Sequence, residues 1–129
     1  MNPRRSLLAA GIAAPLARYS HGIEVAPGAR TIFVSGQLGI LPDGTVPEGV
    51  EAQAAACFEN VGKILAEAGM SLADLVRINA YVTAREHLAG YMRVRDRYVT
   101  TPPPASTLMI VSGFARPEFI VEVEVVAAR

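Results

Sequence analysis

The segment from residue 119 to residue 126, F-I-V-E-V-E-V-V, most constrains what this chain can fold into. Successive side chains of a β-strand point to opposite faces of a sheet. A strand here puts Glu122 and Glu124 on one face, together with the apolar Ile120 and Val126. The opposite face carries only valines, at positions 121, 123 and 125. The segment therefore predicts a sheet with one apolar face for the core and one mixed face.

Hydrophobic periodicity predicts strands and helices along the rest of the chain. Strands are expected at residues 21–26, 31–35, 75–82, 106–111 and 119–127, and helices at residues 50–68 and about 83–99. We expect the first two strands to form a hairpin, because the Pro-Gly turn between them is short. Gly69 is expected to end the first helix in a left-handed conformation, and Thr83 with Glu86 has the spacing of a capping box for the second.

The predicted order of elements, β-β-α-β-α-β-β, indicates an α+β fold. The chain has 129 residues and is expected to form a single domain spanning residues 1–129. Both helices are expected on one face of the sheet, as an α+β sandwich. The other face also carries apolar residues and needs cover, most simply from another copy of the chain. The pattern therefore predicts an oligomer with sites between its subunits.

Composition argues against several classes of protein. Twelve basic residues balance twelve acidic ones, which disfavours binding to nucleic acid through phosphate groups. The single cysteine, Cys57, cannot form an internal disulfide or a thiolate metal site. The sequence has no phosphate-binding or dinucleotide-binding glycine motif, no metal-ligand spacing, and too few histidines to favour a Ser/His/Asp triad. We therefore expect no metal and no cofactor.

The N-terminus allows two interpretations. Arg4 and Arg5 precede an apolar run at residues 7–17, which resembles a twin-arginine export signal. The run is about eleven residues long, which is too short to span a bilayer. Pro15 and Leu16 stand where a cleavage site would need small residues. We therefore expect a folded N-terminal segment in a cytoplasmic protein that does not bind membranes, with export as the alternative.

Glu122 and Glu124 are candidates for proton transfer. Their carboxylates lie on a solvated face, as is common for an arbitrary strand, or are partly buried by Ile120 and Val126. A desolvated carboxylate has a raised pKa and can exchange protons near neutral pH. Periodicity alone leaves both interpretations open.

Three polar clusters are further candidates for a binding site. They consist of Tyr19, Ser20 and His21, of Ser35, Gly36 and Gln37, and of Ser106 and Thr107. The glycine lets a ligand approach the backbone closely, and a bulge explains it equally well. A lone histidine is more typical of a surface or structural role than of a base. The two hydroxyls follow a rigid proline run, and ordinary hydrogen bonds within the sheet also explain them.

These segments belong to a set of motifs that resembles the RidA family, also called YjgF or L-PSP. The resemblance covers nearly the whole chain from about residue 15, and the motifs keep the order and spacing of the family. They are Y-S-H-G at 19–22, F-V-S-G-Q at 33–37, E-A-Q at 51–53, E-N at 59–60, P-A-S-T at 104–107 and V-E-V-E at 121–124. The resemblance implies a chorismate-mutase-like α+β fold, assembled as a homotrimer with ligand clefts at the subunit interfaces.

The resemblance also implies an activity. Active members are enamine/imine deaminases, which hydrolyse 2-imino acids to 2-keto acids and ammonia without a metal or cofactor. Their cleft uses an arginine for the substrate carboxylate, a glutamate on the last strand for water, and a tyrosine and a hydroxyl or thiol as lining. The resemblance assigns the glutamate to Glu122, the tyrosine to Tyr19 and the hydroxyl to Thr107. The position of the arginine is Ala105.

The alanine is a departure from the family pattern. An arginine–carboxylate fork is bidentate and charge-assisted, and loss of one partner of such a pair typically costs about 2–5 kcal/mol. We therefore expect a wider and less polar cleft at Ala105, which holds simple 2-imino acids poorly. Arg18 and Arg116 flank the matched segments and are candidates to replace the missing guanidinium.

Two functions stay open on the sequence. In the first, the chain is a hydrolase of the deaminase type that acts on a different enamine, imine or related reactive metabolite, with Glu122 as base. In the second, it is a non-catalytic small-molecule-binding or interaction protein on the same trimeric scaffold, which Ala105 favours. An endoribonuclease is a minor alternative, because a neutral chain without a basic aromatic patch gives it little support.

Overall fold

The structure is a computed structural model and describes residues 2–129. Its strands and helices, in chain order, are β1 (Arg4–Leu7), β2 (Gly22–Val25), β3 (Thr31–Leu38), α1 (Val50–Ala66), β4 (Leu75–Val82), α2 (Leu88–Tyr98), β5 (Ala105–Ile110) and β6 (Val121–Ala128). Short 3₁₀ turns, Leu72–Asp74 and Arg85–His87, precede β4 and α2. The α+β class is confirmed, and β1 is a strand that the sequence did not predict.

The central sheet has the strand order β3-β6-β4-β5, with β6 antiparallel to both of its neighbours. β5 pairs parallel with β4, so the chain between them crosses over through α2. The predicted hairpin of β2 with β3 is wrong, because β2 pairs with β1 in a separate two-stranded sheet. The longer, valine-rich β6 offers β3 more apolar area to bury than β2 does. Arg30 and Arg129 exchange backbone hydrogen bonds of 2.8 and 3.0 Å where β3 meets the end of β6.

The helices pack on one face of the central sheet and enclose the hydrophobic core. Val121, Val123 and Val125 of β6 lie in this core, as the alternation predicts. Phe58 of α1 is fully buried and stacks on Tyr91 and Tyr98 of α2, at ring-centroid distances of 6.2 and 5.3 Å. One face of the sheet is thereby sealed by the helices.

The predictions about helix ends have different outcomes. Gly69 lies just beyond α1 with a φ of 72°, in the predicted left-handed conformation. The predicted capping box at Thr83 and Glu86 is wrong, because the Thr83 amide still donates to the Ile120 carbonyl at 3.2 Å and keeps the chain extended. α2 begins only at Leu88, after the 3₁₀ turn.

The paired arginines lie in a folded part of the N-terminal segment, as the preferred interpretation predicts. Arg4 and Arg5 lie in β1, which pairs in register with β2. Arg5 also forms an ion pair with Glu24 at 2.9 Å. Within residues 2–129, no helix is both long and apolar enough to cross a membrane.

A buried glutamine fixes the entry of β6. Gln53 of α1 donates from Nε2 to the carbonyls of Pro47 at 3.0 Å and Glu118 at 2.8 Å. Its Oε1 accepts from the amide of Ile120 at 3.0 Å. The glutamine of the E-A-Q motif therefore holds the residues that precede Glu122 against α1.

Candidate functional site

The sheet face away from the helices brings polar side chains of neighbouring strands together. Directly paired residues of adjacent strands point to the same face. The register therefore defines an open face, whose residues are Phe33, Arg77, Asn79, Tyr81, Ala105, Thr107, Met109, Glu122, Glu124 and Val126. Phe33 is 79% exposed there and Met109 is 48% exposed. Polar groups and uncovered apolar surface thus share this face.

Glu122 meets the S-G-Q segment of β3 at a β-bulge. The pairing of β3 with β6 shifts register between Val34 and Gln37, as the bulge interpretation of the glycine predicts. A Cβ at Gly36 would lie 2.7 Å from Cδ of Glu122 and 2.9 Å from its Oε2. Gln37 donates from Nε2 to the Ser35 carbonyl at 3.0 Å across the bulge. Glycine therefore leaves the room that this carboxylate occupies.

The two carboxylates of β6 have different surroundings. Glu124 accepts hydrogen bonds from the hydroxyl of Tyr81 at 2.6 Å and from Nδ2 of Asn79 at 3.3 Å. The bond to Glu124 raises the pKa of Tyr81. Partial burial, with the charge of Glu124 as a smaller cause, raises the pKa of Glu122. Glu124 is thus held in place by two hydrogen bonds, whereas the pKa of Glu122 is raised.

Cys57 lies on the core side of the bulge. Its Sγ donates to the carbonyl of Gln37 at 3.1 Å, and its side chain is fully buried. Burial, with the charge of Glu122 as a smaller cause, raises the pKa of the thiol to about 12. The thiol therefore stays protonated at neutral pH and does not act as a nucleophile there.

Ala105 lies at the start of β5, directly opposite Arg77 of β4. Nη2 of Arg77 donates to Oγ1 of Thr107 at 2.7 Å. Ala105, Arg77 and His21 are among the residues that line a pocket of about 360 Å³. The neighbouring strand thus supplies a guanidinium next to the alanine. The wider and less polar cleft expected at Ala105 stays a prediction.

The two hydroxyl side chains predicted for the site on β5 point to opposite faces of the sheet. Thr107 lies on the open face, where it accepts the hydrogen bond from Arg77. Ser106 pairs with Ile78, a fully buried core residue, and so points to the helix side of the sheet. Only one of the two can contact a ligand on the open face.

The arginines suggested as replacements at the alanine are engaged elsewhere. Arg18 donates from Nη2 to Oγ1 of Thr101 at 2.9 Å, beyond the end of α2. Arg116 lies 4.6 Å over the ring of Phe119 and pairs with Glu118 at 3.5 Å. The guanidinium beside Ala105 comes from the neighbouring strand instead.

Tyr19 and His21 are bound to the N-terminal segment. The hydroxyl of Tyr19 accepts from the amide of Leu16 at 3.3 Å. Nδ1 of His21 accepts from the amide of Ala9 at 3.0 Å, and its Nε2 lies 2.9 Å from the carbonyl of Ala13. This pattern requires a neutral ring with its proton on Nε2. Both nitrogens are thus used to anchor a loop, which matches the structural role considered for this histidine.

Sequence reasoning did not name three polar residues of the open face as site residues. They are Arg77, Asn79 and Tyr81. The alternation of β4 is visible in the sequence and already separates them from the core. The parallel pairing of β4 with β5 is not visible there, and it is this pairing that places Arg77 beside Ala105.

Two pockets lie on the open face with Val126 as a shared wall. The first, of about 320 Å³, is lined by Phe33, Ser35, Asn79 and Glu124, among others, and is therefore acidic. The second is the cationic pocket beside Ala105. Across residues 2–129, no group of three or more histidine, cysteine, aspartate or glutamate side chains could hold a metal ion. The functional groups that the open face presents to a ligand are carboxylates, a phenol, a hydroxyl and a guanidinium.

The fold and this face define a class of small α+β proteins in which one sheet face holds the core and the other holds the polar site. The family model described as Endoribonuclease L-PSP matches residues 11–129. The chain therefore belongs to the RidA family, also known as YjgF or L-PSP, as its motifs predict.

Individual relatives support the same assignment. A RutC family protein of Aquifex aeolicus is 31% identical over 119 residues, which cover 89% of this chain and 91% of that protein. The "Putative reactive intermediate deaminase TdcF" of Escherichia coli K12 is 27% identical over 116 residues, which cover 86% of each chain. The chain is thus similar over most of its length to a protein whose name states a deaminase activity.

Solved structures confirm the fold. The crystal structure of the Rid family protein YyfB from Yersinia pestis, titled as a protein of unknown function, has a TM-score of 0.87 and 28% identity over 100% of both chains. RidA from an Antarctic Psychrobacter has a TM-score of 0.74 and 29% identity, over 97% of this chain and 99% of that chain. The fold is therefore shared with RidA over 97% of this chain.

Proposed function

We propose that this protein is a cofactor-free hydrolase of the deaminase type, which acts on an enamine, an imine or a related reactive metabolite. The observation that carries the proposal is Glu122, a partly buried carboxylate with a raised pKa that stands free beside the bulge at Gly36. A general base near neutral pH needs this combination of access and raised pKa. The similarity to a protein named as a reactive intermediate deaminase supports the same reaction class.

The proposed reaction is the hydrolysis of a carbon–nitrogen double bond. Glu122 takes a proton from water while the water oxygen bonds to the imine carbon, and the nitrogen takes up the electron pair of the double bond. Glu122 returns this proton to the nitrogen, which gives a carbinolamine. It then takes the proton of the new hydroxyl group and passes it to the nitrogen, so that the carbon–nitrogen bond breaks, ammonia leaves and the carbonyl forms. One imine and one water thus give one carbonyl compound and one ammonia. Tyr19 and Thr107 remain the residues predicted to orient substrate or water.

We also propose that the protein assembles as a homotrimer with its clefts between subunits. The support is the open face, where Phe33 is 79% exposed and Met109 is 48% exposed although both lie beside polar site residues. Covering apolar side chains of this size contributes about 1.5–3 kcal/mol each. A neighbouring copy would also restrict solvent around Glu122 and raise its pKa further. The ligand is a small molecule, and we place the protein in the cytoplasm.

The test is an ammonia-release assay with freshly generated 2-iminopropionate. We expect slow turnover by the wild type, because Ala105 stands where the family has an arginine. We expect a further loss of about 10²- to 10⁴-fold in Glu122→Gln, because general base catalysis typically contributes that factor. Glu48→Gln changes an exposed carboxylate in the loop before α1 and should leave the rate unchanged. Equal rates for the wild type and Glu122→Gln would contradict the role of this carboxylate.

A non-catalytic binding protein on the same scaffold is the second candidate. It is favoured by the alanine at position 105 and by His21, whose two ring nitrogens are already bonded to the N-terminal loop. In this case small carbonyl compounds bind to the open face, but no imine is hydrolysed faster than in buffer. Binding without turnover in the same assay would support this second function.

A further inference from the structure

We propose that His21 is a pH-dependent latch for the N-terminal loop, which comprises residues 8–18 between β1 and β2. In its neutral form the histidine holds this loop against the strands that follow, and protonation of the ring releases it. Such a latch controls the position of a segment and does not depend on the reaction, so it goes beyond the proposed function.

The base of the N-terminal loop is fixed without His21. On one side, Leu7 of β1 pairs with Gly22 of β2. On the other side, Ser20 is buried, and its amide donates to the carbonyl of Pro104 at 3.0 Å. The hydroxyls of Ser20 and Ser6 lie 2.5 Å apart and join the two sides. The loop can therefore change its position while its base stays in place.

Burial of apolar surface holds the N-terminal loop only weakly within one chain. All of residues 8–18 are exposed except Pro15, which is half-buried. The large apolar side chains of the loop point to solvent, with Leu8 66% exposed, Ile12 62% and Leu16 93%. A segment with few buried apolar contacts opens at low cost. The hydrogen bonds that the loop receives therefore determine where it lies.

His21 binds the loop at two points. Its Nδ1 accepts from the amide of Ala9 at 3.0 Å, and its Nε2 lies 2.9 Å from the carbonyl of Ala13. Among residues 2–129, the other side-chain hydrogen bond to residues 8–17 comes from Tyr19, whose hydroxyl accepts from the amide of Leu16 at 3.3 Å. The histidine thus carries most of the side-chain hydrogen bonding that fixes the loop.

The two bonds of His21 exist together only in the neutral ring. They need an acceptor at Nδ1 and a donor at Nε2, whereas the protonated ring has donors on both nitrogens. Nδ1 then faces the N–H group of Ala9, and no acceptor remains on the ring to replace it. The ring must turn away from this contact, which also draws Nε2 from the carbonyl of Ala13. Imidazole is the side chain whose charge ordinarily changes between pH 5 and 8.

A protonated His21 finds no carboxylate partner. The charged groups on the elements around it are Arg4, Arg5 and Glu24 of β1 and β2, Arg18 of the loop, Arg77 of β4, and Glu122 and Glu124 of β6. Arg77 lines the same pocket as His21, so its charge opposes protonation. Glu24 already pairs with Arg5 at 2.9 Å, and the carboxylates of β6 come before Val126, the residue of that strand in the pocket. No ion pair offsets the loss of the bond to Ala9.

Release of the loop changes the surroundings of Tyr19. The loop residues Leu8 and Pro15 and the side chain of Tyr19 are among those that line a pocket of about 380 Å³, closed on the other side by Pro102 and Pro103. When the loop moves away, this pocket opens and the hydroxyl of Tyr19 loses its bond to Leu16. The latch therefore determines whether this hydroxyl is occupied within the chain or available to a ligand.

The test places a nitroxide spin label on the loop through Ile12→Cys and records electron paramagnetic resonance spectra from pH 8 to pH 5. The native Cys57 is fully buried and its thiol stays protonated, so the reagent reacts with the introduced thiol. We expect the ratio of mobile to restricted label to rise reversibly, by at least about 10-fold, as the pH falls. Protonation removes a hydrogen bond and leaves the donor of Ala9 unpaired, which accounts for a change of this size.

Two conservative variants locate the response. In His21→Gln the amide keeps one acceptor and one donor but does not change its charge, so the loop should stay restricted at both pH values. His87→Gln replaces the other histidine of the sequence, which lies in the 3₁₀ turn before α2, and should respond to pH as the wild type does. A response that persists in His21→Gln, or that disappears in His87→Gln, would overturn the assignment to His21.

His21→Ala removes both bonds and should make the label at least about 10-fold more mobile already at pH 8. Circular dichroism establishes that each variant is folded. If His21→Ala does not fold, the comparison of the wild type with His21→Gln across the pH range decides alone. Equal spectra of the wild type at pH 5 and pH 8, or a restricted label in folded His21→Ala, would overturn the latch. These spectra do not depend on turnover, so a failure of the proposed function is recognised separately.

Discussion

The two faces of the central sheet are built from the same strands and meet different demands. On the helix side, Val121 and Val123 of β6 and Ile78 and Val82 of β4 have no exposed surface. On the open face, the alternate residues of the same strands are polar and partly exposed. Because side chains alternate between the two faces, a single strand carries core residues on one face and polar residues of the candidate site on the other. We expect substitutions on one face to change unfolding, and substitutions on the other to change binding and assembly.

The largest expected difference is in the free energy of unfolding, between two phenylalanine-to-alanine substitutions, one on each face of the sheet. Phe58→Ala removes a fully buried ring that stacks on two tyrosines, and should lower the free energy of unfolding by about 3–5 kcal/mol. Phe33→Ala removes a ring that is 79% exposed within one chain, and should lower it by less than about 1 kcal/mol. Urea titration of dilute protein measures both values. Similar losses for the two variants would contradict the separation of the faces.

The next effect concerns assembly. Phe33→Ser should weaken the association of subunits, because burial of such a ring contributes about 1.5–3 kcal/mol per copy. Ile64→Ser, on α1, changes an apolar residue that is also exposed, at 37%, but lies on the other side of the molecule. Light scattering over a dilution series should show dissociation at higher concentration for Phe33→Ser only. Dissociation of Ile64→Ser instead would place the interface on the helices.

A smaller effect is expected at the bulge. Gly36→Ala places a Cβ 2.7 Å from Cδ and 2.9 Å from Oε2 of Glu122, so the carboxylate at the end of this flexible side chain must leave its position beside the bulge. The ammonia-release rate should fall with it. Gly113→Ala adds the same methyl group where nothing lies within 4 Å, and should leave the rate unchanged. An unaltered rate in Gly36→Ala would show that the position of Glu122 does not matter for turnover.

The smallest effect is the pH dependence of stability that Glu122 confers. Its pKa in the folded chain is raised, mainly by burial, so ionisation of this group destabilises the fold. The resulting loss is absent below the ordinary carboxyl pKa and complete above the raised one. Relative to Glu122→Gln, the wild type should therefore lose stability as the pH rises through this window. Thermal unfolding of the two proteins at several pH values measures the difference. A difference of the opposite sign would contradict the raised pKa.

Local patterns were sufficient to predict most of the secondary structure. The alternation of β6 gave the core face correctly, because the period of a strand depends on its own residues. The predicted hairpin of β2 with β3 is wrong, because strand pairing does not depend on the residues of the two strands alone. Its two strands are adjacent in sequence, but each finds its partner elsewhere, β2 in β1 and β3 in β6. Pairing depends on how much apolar area each partner buries, which no local pattern contains.

The candidate site shows the same limit. Glu122 and Gly36 were named from the sequence, and the structure brings them together at the bulge. Arg77 was not named as a site residue, although the alternation of β4 places it on the polar face of the strand. A comparison of motifs position by position shows an alanine where the family has an arginine. Only the register of β4 with β5 shows that a guanidinium stands next to this alanine.

The accessibility of Cys57 reports how often helix α1 separates from the central sheet. It is the single cysteine of the sequence, and its thiol is shielded between α1 and the bulge of β3. A maleimide reagent can reach this sulfur only while the helix has lifted from the sheet, so the labelling rate measures the frequency of that opening. Measured with and without ligand, the labelling rate would show whether a ligand on the open face makes the opening between α1 and the sheet less frequent.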